Sequence, residues 1–275
     1  MVVESHTPWR WLPYQIAPAT DQLAAAEALL SGLAQHTCPA LRWYTTPTSA
    51  LVLGTSQRPD VADCAACAAA GIDINRRSSG GTAVLMTPEF VMLDIVLPTS
   101  HPLYTNDVTE SYRWLGNVWV ATLDLLGLSA QLLPIAEARA DAQALDDLTR
   151  RACFGGRSPY EVLVSGRKLV GFSQVRRRQG ALLQAGLYTT WSPRQLPALL
   201  ALAPDERALL TERLAARVTS LADLLAPPPD PPTIMAAFAT ALQRLHGITL
   251  ETAQWSAAEQ GSAKAQSAKQ GRVET

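Results

Sequence analysis

Asn75-Arg76-Arg77-Ser78-Ser79-Gly80-Gly81-Thr82-Ala83-Val84 joins two strand-like runs and carries the densest chemistry of the chain. Residues 72–76 read as a strand, and another apolar run starts at Ala83. Two adjacent glycines let a ligand approach backbone N–H groups closely, because no Cβ stands in the way. The paired arginines and serines beside them suit a carboxylate or a phosphate. Taken locally, a Gly-Gly between strands is more often a plain hairpin turn. The spacing is neither that of a Walker loop nor that of a dinucleotide fingerprint.

Outward from this loop, strands and helices alternate without a βαβ rhythm. Residues 20–35 set Leu23, Ala26, Leu29, Leu30 and Leu33 at helical spacing, with Asp21 placed to accept from the first free N–H groups. Runs 41–45 and 50–53 flank Thr46-Pro47-Thr48, which is turn chemistry. Residues 60–70 read as an Ala-rich helix stopped by Gly71, and 90–97 as an apolar strand broken only by Asp94 and closed by Pro98. A long helix is expected from Asp107, with Glu110 completing a variant capping box. Its apolar stripe is Tyr112, Leu115, Trp119, Leu123 and Leu126, and Gly127 ends it. Segments 160–164 and 168–171 around Ser165-Gly166-Arg167 form a hairpin, and 182–188 a further strand. Helices follow over 194–202, 205–214, 221–225 and 234–245. The pattern predicts an α+β fold: a mixed, mostly antiparallel sheet flanked by helices. The expected division is a main unit over 1–225, a stiff Pro-rich linker over 226–232, a C-terminal helical appendage over 233–258, and a disordered Ala/Ser/Gln/Lys tail over 259–275.

Composition narrows the function classes. The 275 residues carry 23 Lys+Arg against 24 Asp+Glu, a net charge of −1, and are 48% hydrophobic. This balance gives no overall electrostatic case for nucleic acid or a membrane surface. No apolar stretch approaches the roughly 20 residues needed to span a bilayer. Residues 1–14 are polar and Trp-rich, unlike a secretory leader. Four scattered cysteines do not make a disulfide framework, so a reducing cytoplasm is the expected location.

Two further segments carry candidate chemistry. In Ala152-Cys153-Phe154-Gly155-Gly156-Arg157 a cysteine sits beside a Gly-Gly-Arg loop, where a neighbouring cation would favour thiolate; a lone cysteine is otherwise a small buried apolar group. In Gly166-Arg167-Lys168-Leu169-Val170-Gly171-Phe172-Ser173-Gln174 the lysine starts an apolar strand just after a tight turn, facing either a pocket or solvent. Arg176-Arg177-Arg178 is a basic run that reads as a solvated face or a dock for an acidic partner. Cys64 and Cys67 have half-site spacing but no second pair, and His6, His36, His101 and His246 show no metal spacing; no metal is expected.

The order of these segments, from Leu41-Arg42-Trp43-Tyr44 and Gly54-Thr55-Ser56-Gln57 through the Arg-x-Ser-Gly-Gly loop to Gly166-Arg167-Lys168 and Gln184-Ala185-Gly186, resembles the biotin/lipoate protein ligase and octanoyltransferase superfamily. The resemblance covers residues 40–225 and is closest to cysteine-type octanoyltransferases, because Ala152-Cys153-Phe154 precedes Tyr160-Glu161-Val162 as in that group. It implies a catalytic domain of the class II aminoacyl-tRNA synthetase and biotin-ligase type. The implied activity is transfer of an octanoyl or lipoyl group to a lysine of a lipoyl-carrier domain, of the glycine cleavage H protein or dehydrogenase E2 type. By the same resemblance Cys153 is the nucleophile and Lys168 stabilises charge on the acyl carbonyl. Arg76, Arg77, Ser79, Gly80, Gly81, Thr82, Ala83, Gly171, Ser173, Gln184 and Gly186 bind the acyl group. A transferase takes its acyl group from octanoyl-acyl carrier protein and needs no cofactor. The alternatives are a lipoate ligase, which uses ATP and Mg, and a non-catalytic carrier-binding homologue. Two family histidines are replaced, by Met86 and Ala185, and Phe172 is bulkier than the family's usual residue.

Overall fold

The run Phe90–Pro98 is the centre of the main sheet: it pairs antiparallel with Ala40–Thr45 on one side and Gly180–Tyr188 on the other. The computed structural model describes residues 8–35 and 37–269; His6, His36 and the other positions of 1–7 and 270–275 lie outside the described residues. In chain order the elements are β1 (Trp9–Trp11), β2 (Gln15–Ile16), α1 (Ala19–Gly32), β3 (Ala40–Thr45), β4 (Ala50–Leu53), α2 (Cys64–Ala69), β5 (Asp73–Arg76), β6 (Val84–Met86), β7 (Phe90–Pro98) and α3 (Ser111–Leu125). Then come β8 (Gln131–Leu132), α4 (Ile135–Ala144), α5 (Asp147–Arg150), β9 (Val162–Val164), β10 (Arg167–Arg177), β11 (Gly180–Tyr188), α6 (Pro204–Arg217), α7 (Pro231–His246), β12 (Leu250–Thr252) and α8 (Ala257–Lys269).

The large sheet runs β12-β1-β3-β7-β11-β10-β9-β8, with β2 beside β3, and a small sheet runs β5-β4-β6. Pairings of β1 with β12 and β3, of β2 with β3 and of β4 with β5 are parallel; the others are antiparallel. This is the expected mixed, mostly antiparallel α+β architecture. The continuous apolar runs of β3, β7 and β11 follow from burial on both faces. One face packs Trp43, Trp119 and Phe238 under α3 and α7; the other packs Phe90, Phe154 and Tyr188 against the small sheet. The central strands also bury an Arg42–Asp94 ion pair at 2.7 Å.

Several expected elements differ locally. Helix α1 starts at Ala19 behind Pro18, with no side-chain cap, so Asp21 lies in the first turn, where it suits the helix dipole instead. The expected 60–70 helix is broken: Asp63 is extended and accepts the N–H of Ala66, capping a shorter α2. Asp107 accepts the N–H groups of Thr109 and Glu110, closing a turn that delays α3 to Ser111. Of the expected 194–202 and 221–225 helices, only 3-10 turns at Pro197–Leu199 and Leu221–Asp223 form.

The C-terminal division is corrected. Pro231 and Pro232 are the first turn of α7, with Asp230 as its cap, so the Pro-rich run is half helix start rather than all spacer. Phe238 is fully buried, with its ring 5.3 Å from those of Trp43 and Trp119, and β12 pairs with β1. Residues 233–258 are therefore part of the main core, not an appendage. The expected disordered tail is helix α8 as far as Lys269. It is fastened to the body by Arg10–Glu259 at 2.8 Å and by the hydroxyl of Ser267 on Asp21.

Candidate active site

The β9–β10 hairpin turns through Ser165 and Gly166, both at positive φ (49° and 73°), the geometry that matches the twist of its strands. A register shift between Lys168 and Val170 follows. This bulge turns Lys168 onto the face of Gly171, where a Cβ would stand 3.0 Å from the Lys168 Cε and 3.1 Å from the Phe154 ring. The ammonium is thereby buried and has three acceptors: Glu161 Oε1 at 2.8 Å, the Gly156 carbonyl at 2.9 Å and the Cys153 carbonyl at 3.2 Å. A lysine has three N–H donors, so all are committed. Glu161 also accepts the backbone N–H groups of Phe172 and Ser158, at 3.1 and 2.8 Å.

Cys153 is stitched to the Gly-Gly loop through backbone. Its N–H donates to the Ala83 carbonyl at 2.8 Å, and the Ala83 N–H donates to Arg151 at 3.2 Å. Arg77 lies inside the loop, donating to the carbonyls of Gly80 and Thr82 at 2.8 and 2.9 Å, with Nη2 3.8 Å from the Cys153 Sγ. Gly81 sits at φ +89°, where a Cβ would come within 2.8 Å of Arg77 Nη2. Gly54 packs against the same loop: a Cβ there would lie 1.9 Å from the Gly81 carbonyl. The N–H groups of Gly80, Gly81 and Thr82 donate to no acceptor among the described residues.

The Cys153 side chain stands where two cavities meet. An open cleft of about 550 Å³ is lined by Gly80, Gly81, Thr82, Tyr112, Arg150, Arg157, Lys168 and Gln174. A narrow channel of about 50 Å³ leads inward between Leu23, Val52, Val84, Met86, Phe90 and Met92, over Gly171, Ser173, Gln184, Ala185 and Gly186. Met86 and Ala185 are thus part of the channel lining. Phe172 stacks on Tyr112 at 5.6 Å, at the border of the open cleft. Under the channel, Ser173 donates to Gln184, and Gln184 donates to Asp94, which is paired with Arg42. Burial pushes the Tyr44, Tyr112 and Tyr188 hydroxyls up, so these groups stay neutral.

The structure therefore gathers Arg77, Gly80, Gly81, Thr82, Cys153, Lys168, Gly171, Ser173, Gln184 and Gly186 around one junction, with Ala83 contributing backbone. Arg76 turns away and donates to the carbonyls of Gly54, Thr55 and Gln57, bracing the neighbouring loop. Ser79 is buried; its carbonyl accepts from Thr55, and its hydroxyl has no partner among the described residues. In the basic run, Arg176 donates to the Thr105 carbonyl and Arg177 pairs with Glu27, while Arg178 is exposed. The thiols of Cys64 and Cys67 point to separate carbonyls, of Ala62 and Leu199. Glu161, Phe154 and Gly54 are site residues that sequence reasoning missed. The signals for Glu161 are a lone acid inside the apolar run 160–164 and its place in Tyr160-Glu161-Val162, the segment that follows the cysteine in the family pattern.

Glu161 is the single acid lining the open cleft, and Lys168 engages it; no group of three His, Cys, Asp or Glu able to hold a metal occurs among the described residues. No helix of the described residues is long and apolar enough to cross a membrane.

The chain is 34% identical over 261 residues to octanoyltransferase LipM of Kyrpidia tusciae, covering 93% of each chain. It is 33% identical over 180 residues to octanoyltransferase LipM of Carboxydothermus hydrogenoformans, covering 65% of this chain and 63% of that one. The fold is similar to that of a bipartite lipoate protein ligase from Thermoplasma acidophilum, solved in a study of its lipoylation system with an E2 lipoyl domain (TM-score 0.77, 19% identity, 96% and 93% of the chains). It is also similar to a lipoate-protein ligase A bound with ATP (TM-score 0.73, 19% identity, 96% and 95%). The model of the lipoyl protein ligase A/B catalytic domain matches residues 18–243, a span that holds the Gly-Gly loop, Cys153 and the Lys168 hairpin together, and the chain belongs to that family.

Proposed function

We propose that this protein transfers an octanoyl group from an acyl carrier protein to a lysine of a lipoyl-carrier domain, through a thioester on Cys153. The observation that carries the reading is the place of Cys153, at the mouth of an apolar channel and open to a polar cleft. The Cys153 thiolate attacks the carbonyl carbon of the donor thioester. The carrier thiol leaves and takes a proton, and the acyl chain lies in the channel. The neutral amine of the acceptor lysine then enters through the cleft and attacks the Cys153 thioester. An amide forms, Cys153 leaves as thiolate, and the amine proton passes to water in the cleft. Both exchanges have good leaving groups, so ATP is not required.

The free N–H groups of the 80–82 loop are donors available to the carbonyl oxygen as it gains charge. Lys168 holds the carbonyls of Cys153 and Gly156, and so the backbone at the nucleophile and just after it; it reaches the acyl oxygen only by giving up its 3.2 Å bond to Cys153. A channel of about 50 Å³ holds only a few waters, so an eight-carbon chain enters by moving its flexible wall, in which Met86 and Met92 are the adaptable members. The four free thiols suit a reducing compartment, and we place the reaction in the cytoplasm.

Intact-mass spectrometry after incubation with octanoyl-acyl carrier protein tests the reading. A hydroxylamine-labile gain of one octanoyl group, absent in Cys153→Ala, is expected, followed by its movement to a lipoyl-carrier domain. Failure to load, with pyrophosphate released from ATP in the presence of lipoate, would make the chain a ligase. Carrier binding with no transfer from either donor would make it a non-catalytic homologue.

A further inference from the structure

Arg150 and Arg157 line the cleft, but the two cations hydrogen-bonded to atoms of Cys153 are Lys168 and Arg77, and their electrostatic situations are opposite. Lys168 is buried at 1% exposure and neutralised by Glu161 at 2.8 Å. Arg77 is 8% exposed and lies in no ion pair among the described residues; its acceptors are the carbonyls of Gly80, Thr82 and Val52 and the Cys153 sulfur. A buried charge without a counter-ion is unfavourable unless an anion is supplied. The one group around this guanidinium that becomes an anion in the reaction is the Cys153 thiol, 3.8 Å away.

From this asymmetry we infer that Arg77 is a catalytic residue, whose guanidinium holds the negative charge on the Cys153 sulfur. The inference rests on the reading of Cys153 as the nucleophile. Charge sits on Sγ twice in the cycle: before the S–C bond to the octanoyl carbonyl forms, and after that bond breaks as the acceptor amine displaces it. Arg77 faces both states from a fixed position, because the carbonyls of Gly80 and Thr82 hold its Nη2. The Lys168–Glu161 pair has no net charge to offer the sulfur. It positions the loop, while Arg77 carries the electrostatics.

The test is alkylation of Cys153 by iodoacetamide in wild type, Arg77→Gln, Arg77→Lys and the double variant Glu161→Leu/Lys168→Met, which removes the neutral pair whole, read by peptide mass spectrometry. Rates are taken at about pH 7 and about pH 9.5, and their ratio is compared so that changes in access cancel. In Arg77→Gln the ratio is expected to fall about tenfold, equivalent to ~1.4 kcal/mol. In Arg77→Lys, which keeps the charge, it stays within about threefold of wild type, and Glu161→Leu/Lys168→Met lowers it less than Arg77→Gln does. An unchanged ratio in Arg77→Gln, or as large a fall in Glu161→Leu/Lys168→Met, overturns the inference. So does an equal fall in Arg77→Gln and Arg77→Lys, which would mark a misshapen loop rather than a missing charge. Alkylation of buried Cys67 reports unfolding in the same digest; if Arg77→Gln unfolds, a ratio changed more than about threefold in Arg77→Lys, or one that falls about tenfold in Glu161→Leu/Lys168→Met, overturns the inference. Octanoyl loading of the wild type is measured separately. A wild type that never loads overturns the transferase reading, whereas loading with a ratio indifferent to Arg77 overturns only the role of Arg77.

Discussion

Replacing Glu161 tests the Lys168 pair directly. Both side chains are 2% exposed and meet at 2.8 Å, so removing the carboxylate leaves an ammonium with two carbonyl acceptors and no counter-ion. Breaking a buried pair from one side costs about 3–5 kcal/mol. In Glu161→Leu the N–H groups of Ser158 and Phe172 also lose their acceptor, adding about 1 kcal/mol each. Glu161→Gln keeps an amide oxygen for those donors and falls at the lower end of the range. At about 2–4 °C per kcal/mol for a chain of this size, the single variants should melt on the order of 10 °C below wild type.

The double variant Glu161→Leu/Lys168→Met fills the same space with apolar groups and should recover most of that loss, since a buried pair and its apolar substitute are often near equal in stability. Urea unfolding followed by circular dichroism gives the midpoints, and an unchanged slope shows that the comparison is sound. The double variant should be folded and still load octanoyl poorly, because nothing then holds the carbonyls of Cys153 and Gly156. A loss in Glu161→Gln below about 1 kcal/mol, or a double variant that loses the sum of the single losses, would refute the coupling.

Gly54→Ala drives a Cβ to within 1.9 Å of the Gly81 carbonyl, so the Gly-Gly loop must move. Octanoyl loading should fall about 100-fold, as for an ångström-scale misplacement, with a stability loss of about 1–3 kcal/mol; wild-type loading rates would count against the site. At Glu259, burial works to raise the carboxyl, but hydrogen bonds from Arg10 and Ser256 outweigh it and hold the group below the usual carboxylate range. A depressed carboxyl stabilises the fold above its unfolded pKa and stops doing so as pH falls through the depressed value. Protection of Ala257–Lys269 from hydrogen exchange, taken relative to the intrinsic rate at each pH, should therefore fall below about pH 4, and Glu259→Gln should produce the same opening at neutral pH; equal protection at both pH values would contradict this.

Much of this arrangement is written locally and can be read as such. The strands around Trp43, Leu51 and Ile95 are apolar runs closed by turn residues, and Ser165-Gly166 specifies its own hairpin. What sequence does not disclose is decided by partners far along the chain. The bulge after Lys168 reverses which face the lysine occupies, and no local preference announces it. Glu161 reads as a polar interruption until the hairpin brings it to Lys168. Helix α8 has few large apolar groups and so looks unable to order itself. Its anchor is Arg10, some 249 positions away, and small residues let it lie close on α1: a Cβ on Gly32 would come within 3.2 Å of the Glu259 side chain. The Pro-rich run misleads for a different reason: proline stiffens a linker and also starts a helix, and Asp230 followed by Pro231 selects the second use.

The replaced histidines fit the distribution of charge around Cys153. Apart from Arg77, the channel lining is neutral: Met86, Met92 and Phe90 are apolar, and burial keeps the Tyr44 hydroxyl protonated. Of the charged groups nearby, Arg42 pairs with Asp94 and Lys168 with Glu161, while Arg77 faces the sulfur. An imidazole at position 86 or 185 would place a titratable, hydrated group in that wall. Water drawn in by it would screen the Arg77 charge at the reacting sulfur, where exclusion of water strengthens it. The proton released when the acceptor amine attacks has no carrier along the apolar wall and leaves through the open cleft, the same side from which the lysine arrives. Met86→His should therefore weaken thioester formation rather than restore a missing function, and a gain in octanoyl loading would show that the channel tolerates water.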